Sequence, residues 1–206
     1  MRYTGPKNRL SRREGLDLGH KTPGAKSHAS LLKKLNVFPG QHGTKGRRKV
    51  SDTGKQLREK QKLRFMWGIS ESQLKRYFQQ AKRKTGNTGL HLSAYLERRL
   101  DNAIYRLGLA PTRASARQLV SHKHFKVNDK IVNVASYSLR VGDVITFAKD
   151  KTTKLPPVEA VLAKKDTAIP EWFERMGPAG KVISEPSSAL IEKMINLRLV
   201  IEFYSR

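Results

Sequence analysis

The first hundred residues hold 25 Lys and Arg against 6 Asp and Glu, a net of +19, whereas residues 101–206 hold 17 against 11, a net of +6. This asymmetry limits the fold more than any other feature. Like charges gathered in one half repel each other in a compact chain and draw a polyanion from a distance. A merely solvated charged face would mix acids among its bases, and here the bases stand largely alone. The pattern favours a basic arm for a phosphate backbone with a more ordinary folded part behind it. The 206 residues carry +25 in all and are 37% hydrophobic. That suits one domain plus a smaller companion, with no packed core along the whole length.

Several classes fall away. With no cysteine, the chain has no disulfide framework, thiolate nucleophile, iron–sulfur ligation or cysteine-based zinc finger. No apolar run approaches the ~18–20 residues that span a bilayer. No apolar signal core follows Met1-Arg2-Tyr3-Thr4-Gly5-Pro6-Lys7, so the expectation is a soluble, unexported chain.

Residues 1–50 are poor in large apolar side chains. Stretches such as Arg9-Leu10-Ser11-Arg12-Arg13 and Lys45-Gly46-Arg47-Arg48-Lys49 bury too little to offset their ordering entropy, so this arm is expected to order against a partner. Phe38-Pro39-Gly40-Gln41-His42-Gly43 is turn-forming. Gly40–Gly46 lacks the spacing and the preceding strand of a phosphate-binding P-loop. From Ser51 the period becomes helical: Leu57, Gln61 and Arg64 share a side, Leu63, Met66 and Trp67 close the helix, and Gly68 stops it. Ser70 then caps a second helix with Glu71 in its first turn, Leu74, Tyr77, Phe78 and Ala81 on one face and Lys82-Arg83-Lys84 at its end. Tyr77 and Phe78 read as core.

The most informative stretch runs from Ser93 to Ala148. Leu92, Leu96, Leu100, Ile104 and Leu107 form one apolar helical stripe that Gly108 ends. Thr112 caps a short helix with Ala116, Leu119 and Val120 inward. Arg113 and Arg117 sit four apart on the side away from that stripe. Such a pair repels itself unless an anion bridges it, and a phosphate held bidentately is the economical candidate. Phe125-Lys126-Val127, a turn at Asn128-Asp129 and Lys130–Val134 read as a hairpin, with Tyr137–Val141 and Val144–Phe147 as further strands.

These residues resemble a known family. Arg99-Leu100-Asp101, Arg106-Leu107-Gly108, Thr112-Arg113, Ala116–His122, Val127-Asn128, Val132-Asn133, Ser136-Tyr137 and Gly142-Asp143 are similar to the RNA-binding module named after ribosomal protein S4. Beyond it, Arg12–Gly15, Pro39–Gly43, Leu57–Lys62, Gly86–Gly89 and Val200–Arg206 resemble the full-length bacterial-type small-subunit ribosomal family. Only about 150–190 is weakly matched. Many members hold zinc through four N-terminal cysteines. The matching positions here are Asn8, Ser11, Ala25 and Ser30, so this is a cysteine-free variant for which no metal or cofactor is expected. The family usually has Gly after its Val-Asn pair; Asp129 stands there, and Asp tolerates the left-handed region.

The resemblance implies an α+β fold with an extended basic arm (1–50), a helical domain (51–92, completed by 175–206) and an inserted two-helix plus antiparallel-sheet module (93–160). Residues 161–206 would return to the helical domain. It implies a non-enzymatic constituent of the small ribosomal subunit, a primary rRNA binder that nucleates assembly of the subunit body, acts in the cytoplasm and contributes to translational accuracy. Arg113, Arg117, Gln118, Ser121 and His122 would meet RNA from the module, and Arg12, Arg13, Lys33, Lys34, Lys60 and Lys62 from the rest. Lys45, Arg47, Arg48 and Lys49 match a basic loop that faces the mRNA entry channel in relatives. Implied partners are small-subunit rRNA, neighbouring small-subunit proteins and mRNA, with no membrane and no small-molecule substrate. Family members end in a helix, whereas the alternation of Leu197, Leu199, Ile201 and Phe203 reads as strand.

Two other classes compete. The same module is attached to RNA-modifying enzymes and a tRNA synthetase, but residues 1–92 are too basic and glycine-rich for a catalytic domain. The cluster Glu171, Glu174 and Glu185 lies in a Pro/Gly-broken surface segment. His122 and His124, two apart, have a strand-like ligand spacing, although a satisfied or RNA-facing pair is favoured. A sequence-indifferent DNA-compacting polycation fits the charge and nothing else. Tyr3 and Phe38 are the aromatics placed in basic loops, where each has a minor prospect of stacking on an unpaired base.

Overall fold

In chain order the helices are α1 (Lys7–Glu14), α2 (Lys26–Lys33), α3 (Asp52–Trp67), α4 (Glu71–Lys82), α5 (Thr88–Glu97), α6 (Leu100–Arg106), α7 (Arg113–Ser121), α8 (Pro156–Leu162), α9 (Ala189–Glu192) and α10 (Leu197–Ser205). The strands are β1 (Phe125–Val127), β2 (Lys130–Ile131), β3 (Val144–Phe147), β4 (Phe173–Met176) and β5 (Ala179–Val182). This is a computed structural model; it describes residues 3–45, 49–163 and 168–205, and its class is α+β. The chain divides into two units, residues 1–92 with 188–206, and residues 93–187.

In the first unit the expected stop at Gly68 and cap at Ser70 are present, and Ser51 adds a cap that the sequence reading does not name. Ser51 Oγ accepts the Gly54 N–H at 3.2 Å to start α3, and Gly68 at φ +61 ends it. Ser70 Oγ accepts from the Gln73 N–H at 3.3 Å to start α4. Leu63, Met66, Trp67, Leu74, Phe78 and Ala81 are buried, while Tyr77 is half-buried. Residues 197–205 correct the strand expectation, because they form a helix. Leu197 and Val200 are buried at helical spacing, and Tyr204 stacks on Phe78 with centroids 5.0 Å apart. Gln56 Nε2 also donates to Glu202 Oε2 at 3.0 Å. Docking against α3 and α4 decides the conformation where alternation alone misleads. The basic arm differs too. It holds α1 and α2, and Leu10, Leu18 and Leu31 are buried at 6%, 1% and 1% exposure. Arg58 Nη1 of α3 reaches the buried Glu14 carboxylate at 3.1 Å, so the arm buries apolar side chains and is tied to α3.

The expected single apolar helix is two, α5 and α6. Arg99 takes extended backbone between α5 and α6 and bridges Ser138; that bridge is what remains of the expected strand at 137–141. The break lets the Arg99 side chain turn inward, where it is 1% exposed. The five strands are antiparallel in the order β2-β1-β3-β5-β4. Asn128 (φ +48) and Asp129 (φ +64) form the β1–β2 turn with both residues left-handed, as a two-residue hairpin needs. Strands β4 and β5 correct the assignment of residues 161–187 to the helical domain. Their Phe173 and Val182, with Trp172, join the core of Leu100, Ile104, Leu107, Leu119, Phe125 and Ile145. Gly180 permits this, since a Cβ there would overlap the Leu107 side chain. The sequence offers only four-residue strands broken by Gly and Pro, and their burial against α6 is a tertiary matter.

Candidate nucleic-acid interface

Helix α7 begins where Thr112 Oγ1 accepts the Ser115 N–H at 3.1 Å. Ala116, Leu119 and Val120 face the core, and Gln118, Ser121 and His122 are exposed. Arg113 and Arg117 do not simply project outward. Arg113 Nε donates to Asn102 Oδ1 at 2.8 Å, and its guanidinium lies 4.4 Å from the Tyr105 ring centroid. Arg117 Nη1 stands 3.7 Å from Asp101 Oδ2. The expected repulsion is thus relieved by the protein itself, with both guanidinium groups oriented before any anion arrives.

Behind them lies a polar network that residue spacing alone does not point to. Asp101 takes Arg99 Nε at 3.0 Å and Arg99 Nη2 at 2.6 Å, and also accepts the Asn102 N–H at 2.9 Å. Asn102 Nδ2 donates to Glu97 Oε2 at 2.8 Å, which fixes its carbonyl oxygen toward Arg113. Arg106 holds the same Glu97 through two bonds of 3.1 and 2.9 Å. Burial opposes the Arg106 charge, but Glu97 outweighs it and raises the pKa. At Arg113, burial and then the neighbouring Arg106 pull the pKa down to about 10, which leaves it charged at neutral pH. The signal for this network was visible: Glu97, Arg99, Asp101 and Asn102 interrupt an apolar helical run, where polar groups must find partners.

His122 and His124 stack with centroids 6.3 Å apart. His124 Nδ1 lies 2.8 Å from Thr152 Oγ1. Slight burial, Lys149 and His122 hold its pKa below the ordinary value, so His124 is neutral at pH 7. Among the described residues no cluster has metal-binding composition, and no helix is long and apolar enough to cross a membrane. Glu171, Glu174 and Glu185 are exposed.

In the first unit the predicted cations fall into three kinds. Lys33, Lys34, Lys45 and Lys49 are exposed, while Arg47 and Arg48 lie outside the described residues. Arg12 is half-buried and donates to the carbonyls of Val37 at 2.9 Å and Phe38 at 3.2 Å; Arg13 is half-buried beside it, and Lys62 pairs with Glu59 at 2.6 Å. Lys60 corrects the expectation of an RNA-lining side chain. It is 5% exposed, pairs with Glu71 at 2.9 Å and lies 4.5 Å from the Phe203 ring centroid. Tyr204 donates to the same Glu71 oxygen at 2.7 Å. Burial opposes the Glu71 charge, but the Lys60 and Tyr204 hydrogen bonds overcome it and lower its pKa, while burial beside that carboxylate raises the Tyr204 pKa. Tyr3 is engaged by Phe65, ring centroids 6.0 Å apart, whereas Phe38 lines a groove.

Comparison with known proteins agrees with this geometry. The family model described as the ribosomal protein S4/S9 N-terminal domain matches residues 2–97, and the S4 domain model matches residues 98–145. The chain is 46% identical over 209 residues to the small ribosomal subunit protein uS4 of Sulfurihydrogenibium sp. (strain YO3AOP1), covering 99% of this chain and 98% of the relative. It is 45% identical to the uS4 protein of Akkermansia muciniphila and 44% identical to that of Janthinobacterium sp. (strain Marseille), each alignment covering 100% of this chain and 99% of the relative. With its RNA-binding module, its antiparallel sheet and its match to relatives end to end, the chain belongs to the uS4 family of ribosomal proteins.

Proposed function

We propose that this protein is a structural constituent of the small ribosomal subunit that binds rRNA and acts by binding, without turnover. One observation carries the reading: the Arg113 and Arg117 guanidinium groups are oriented on α7 by Asn102, Tyr105 and Asp101, beside exposed Gln118, Ser121 and His122. Pre-oriented guanidinium groups suit bidentate phosphate contact, and their fixed separation selects RNA shape rather than mere charge. The lysines of the first unit add counterion-release affinity.

Within that reading the protein is a primary binder that nucleates the subunit body, in the cytoplasm and beside neighbouring small-subunit proteins. Its basic loop, with exposed Lys45 and Lys49, serves the mRNA entry channel and contributes to accuracy. The test is a salt-dependent titration of the full chain against its own small-subunit rRNA junction and a scrambled RNA of equal length. A junction preference that persists as salt rises, and that Arg113→Ala/Arg117→Ala abolishes, is the expected outcome. Equal affinities that vanish together with salt would reduce the chain to a polycation.

A further inference from the structure

The first unit contains a groove of about 710 Å³ between the end of α1, the turn at 38–43 and α3. That volume lies in the range of sites for small ligands, roughly 300–1,000 Å³. Its wall is mixed. Phe38, Val50 and Leu57 supply apolar surface, and Arg13, Arg58 and Lys62 supply charge. Arg58 and Lys62 are already paired with Glu14 and Glu59, whereas Arg13 makes no ion pair among the described residues.

Two further features mark a built site. The turn is held in place by the paired Arg12 hydrogen bonds to Val37 and Phe38. Gly43 passes so close to the Phe38 carbonyl that any Cβ would overlap it, so the Phe38 wall is set before a ligand enters. The second is Glu14, whose side chain is 1% exposed and which also lines the groove. Its Oε1 takes Arg58, and its Oε2 has no donor among the described residues. A buried acceptor without a donor is costly to leave.

We propose that this groove receives one unpaired nucleotide of the bound RNA, its base against Phe38 and Leu57 and its phosphate on Arg13. The proposal rests on the RNA-binding reading above. Charge complementarity chooses the occupant. An apolar slot rimmed by cations suits an aromatic ring joined to an anion, and a nucleotide is both. Every base brings an N–H donor of the kind that the Glu14 wall lacks. Of the two loop aromatics, Phe38 lines the groove and is the one that a base would meet.

The test is ultraviolet crosslinking of the full wild-type chain to its rRNA junction, with adducts mapped by mass spectrometry and repeated in whole subunits. The expected result is a mononucleotide adduct on the peptide carrying Phe38, from an unpaired position. Phe38→Ala should remove the adduct and weaken junction binding about tenfold with the salt slope unchanged, since no phosphate contact is lost. Arg13→Gln should lower that slope by about one contact. Junction binding that still depends on Arg113 and Arg117 but leaves Phe38 unmodified would overturn the groove and spare the rRNA reading. In whole subunits, a neighbouring protein crosslinked there instead of a nucleotide overturns it as well. Loss of junction preference in the wild type would count against the rRNA reading itself.

Discussion

The two units present positive charge in opposite ways. In the second, Arg113 and Arg117 are braced by Asn102, Tyr105 and Asp101, which are themselves held by Glu97 and Arg99. In the first, Lys33, Lys34, Lys45 and Lys49 stand exposed on flexible stems. A braced guanidinium has already lost its rotamer freedom and meets a phosphate in one geometry, so it discriminates. An exposed ammonium gains only Coulomb attraction and counterion release, so it adds affinity without choice. The braces are more buried than the groups they serve: Asp101 is 3% exposed and Arg99 1%.

Breaking the brace should have the largest effect. Asp101→Ala removes the carboxylate that pairs with the buried Arg99 charge, and truncating one member of such a pair destabilises by about 3–5 kcal/mol. Denaturant unfolding of the full chain should show that loss in residues 93–187, read by hydrogen exchange. Retention of wild-type stability there would mean that Arg99 needs no counter-charge.

Next comes Arg113→Lys, which keeps the charge and loses the planar fork. Lysine replaces neither the Nε bond to Asn102 nor the planar stack over Tyr105. Junction preference should fall by about 2 kcal/mol, roughly thirtyfold, while affinity for scrambled RNA stays level. An equal loss for both RNAs would erase the distinction between braced and exposed cations.

Lys60→Met sharpens the comparison from the other side. Since Lys60 ties α3 to Glu71 on α4 and lies over Phe203 of α10, its loss should lower stability by about 1–2 kcal/mol. The salt slope of RNA binding should not move. Lys33→Ala/Lys34→Ala should do the reverse: unchanged stability, a salt slope smaller by up to about two contacts, and an equal weakening for junction and scrambled RNA.

The smallest effect concerns acid. The folded Glu71 pKa lies below its ordinary value, despite burial, through Lys60 and Tyr204. Its contribution is therefore fully present above the ordinary Glu value of about 4.3 and is lost as pH falls through the depressed folded value. Glu71→Gln should flatten that acid limb of the stability curve for the first unit, and should change RNA binding at pH 7 little.

Local chemistry carried much of this from residues alone. Gly68, Ser70 and Thr112 marked helix ends because a side-chain oxygen or a left-handed glycine satisfies backbone groups within a few residues. Asn128-Asp129 marked the hairpin for a similar local reason. Of the interface, the exposed cations and the spacing of Arg113 and Arg117 were legible, since helix geometry sets which neighbours share a face. Their bracing was not, because Asn102 and Asp101 lie 11 and 16 positions upstream, and sequence spacing does not say which loop closes them together.

The errors share that cause. Residues 197–205 satisfy a strand alternation and a helical stripe at once, and only docking on Phe78, Gln56 and Glu71 selects the helix. Lys60 looked like one more exposed base until Glu71 and Tyr204, 11 and 144 residues away, enclosed it. The α5–α6 break at Arg99 depends on the Ser138 segment arriving beside it. Charge, helix caps, the hairpin turn and the absence of cysteine were determined by the sequence itself, because each acts over a handful of residues or over the chain as a whole. Which cations became braced, which became buried struts and which strands completed the sheet were decided by tertiary structure, because burial depends on partners that come together only when the chain folds.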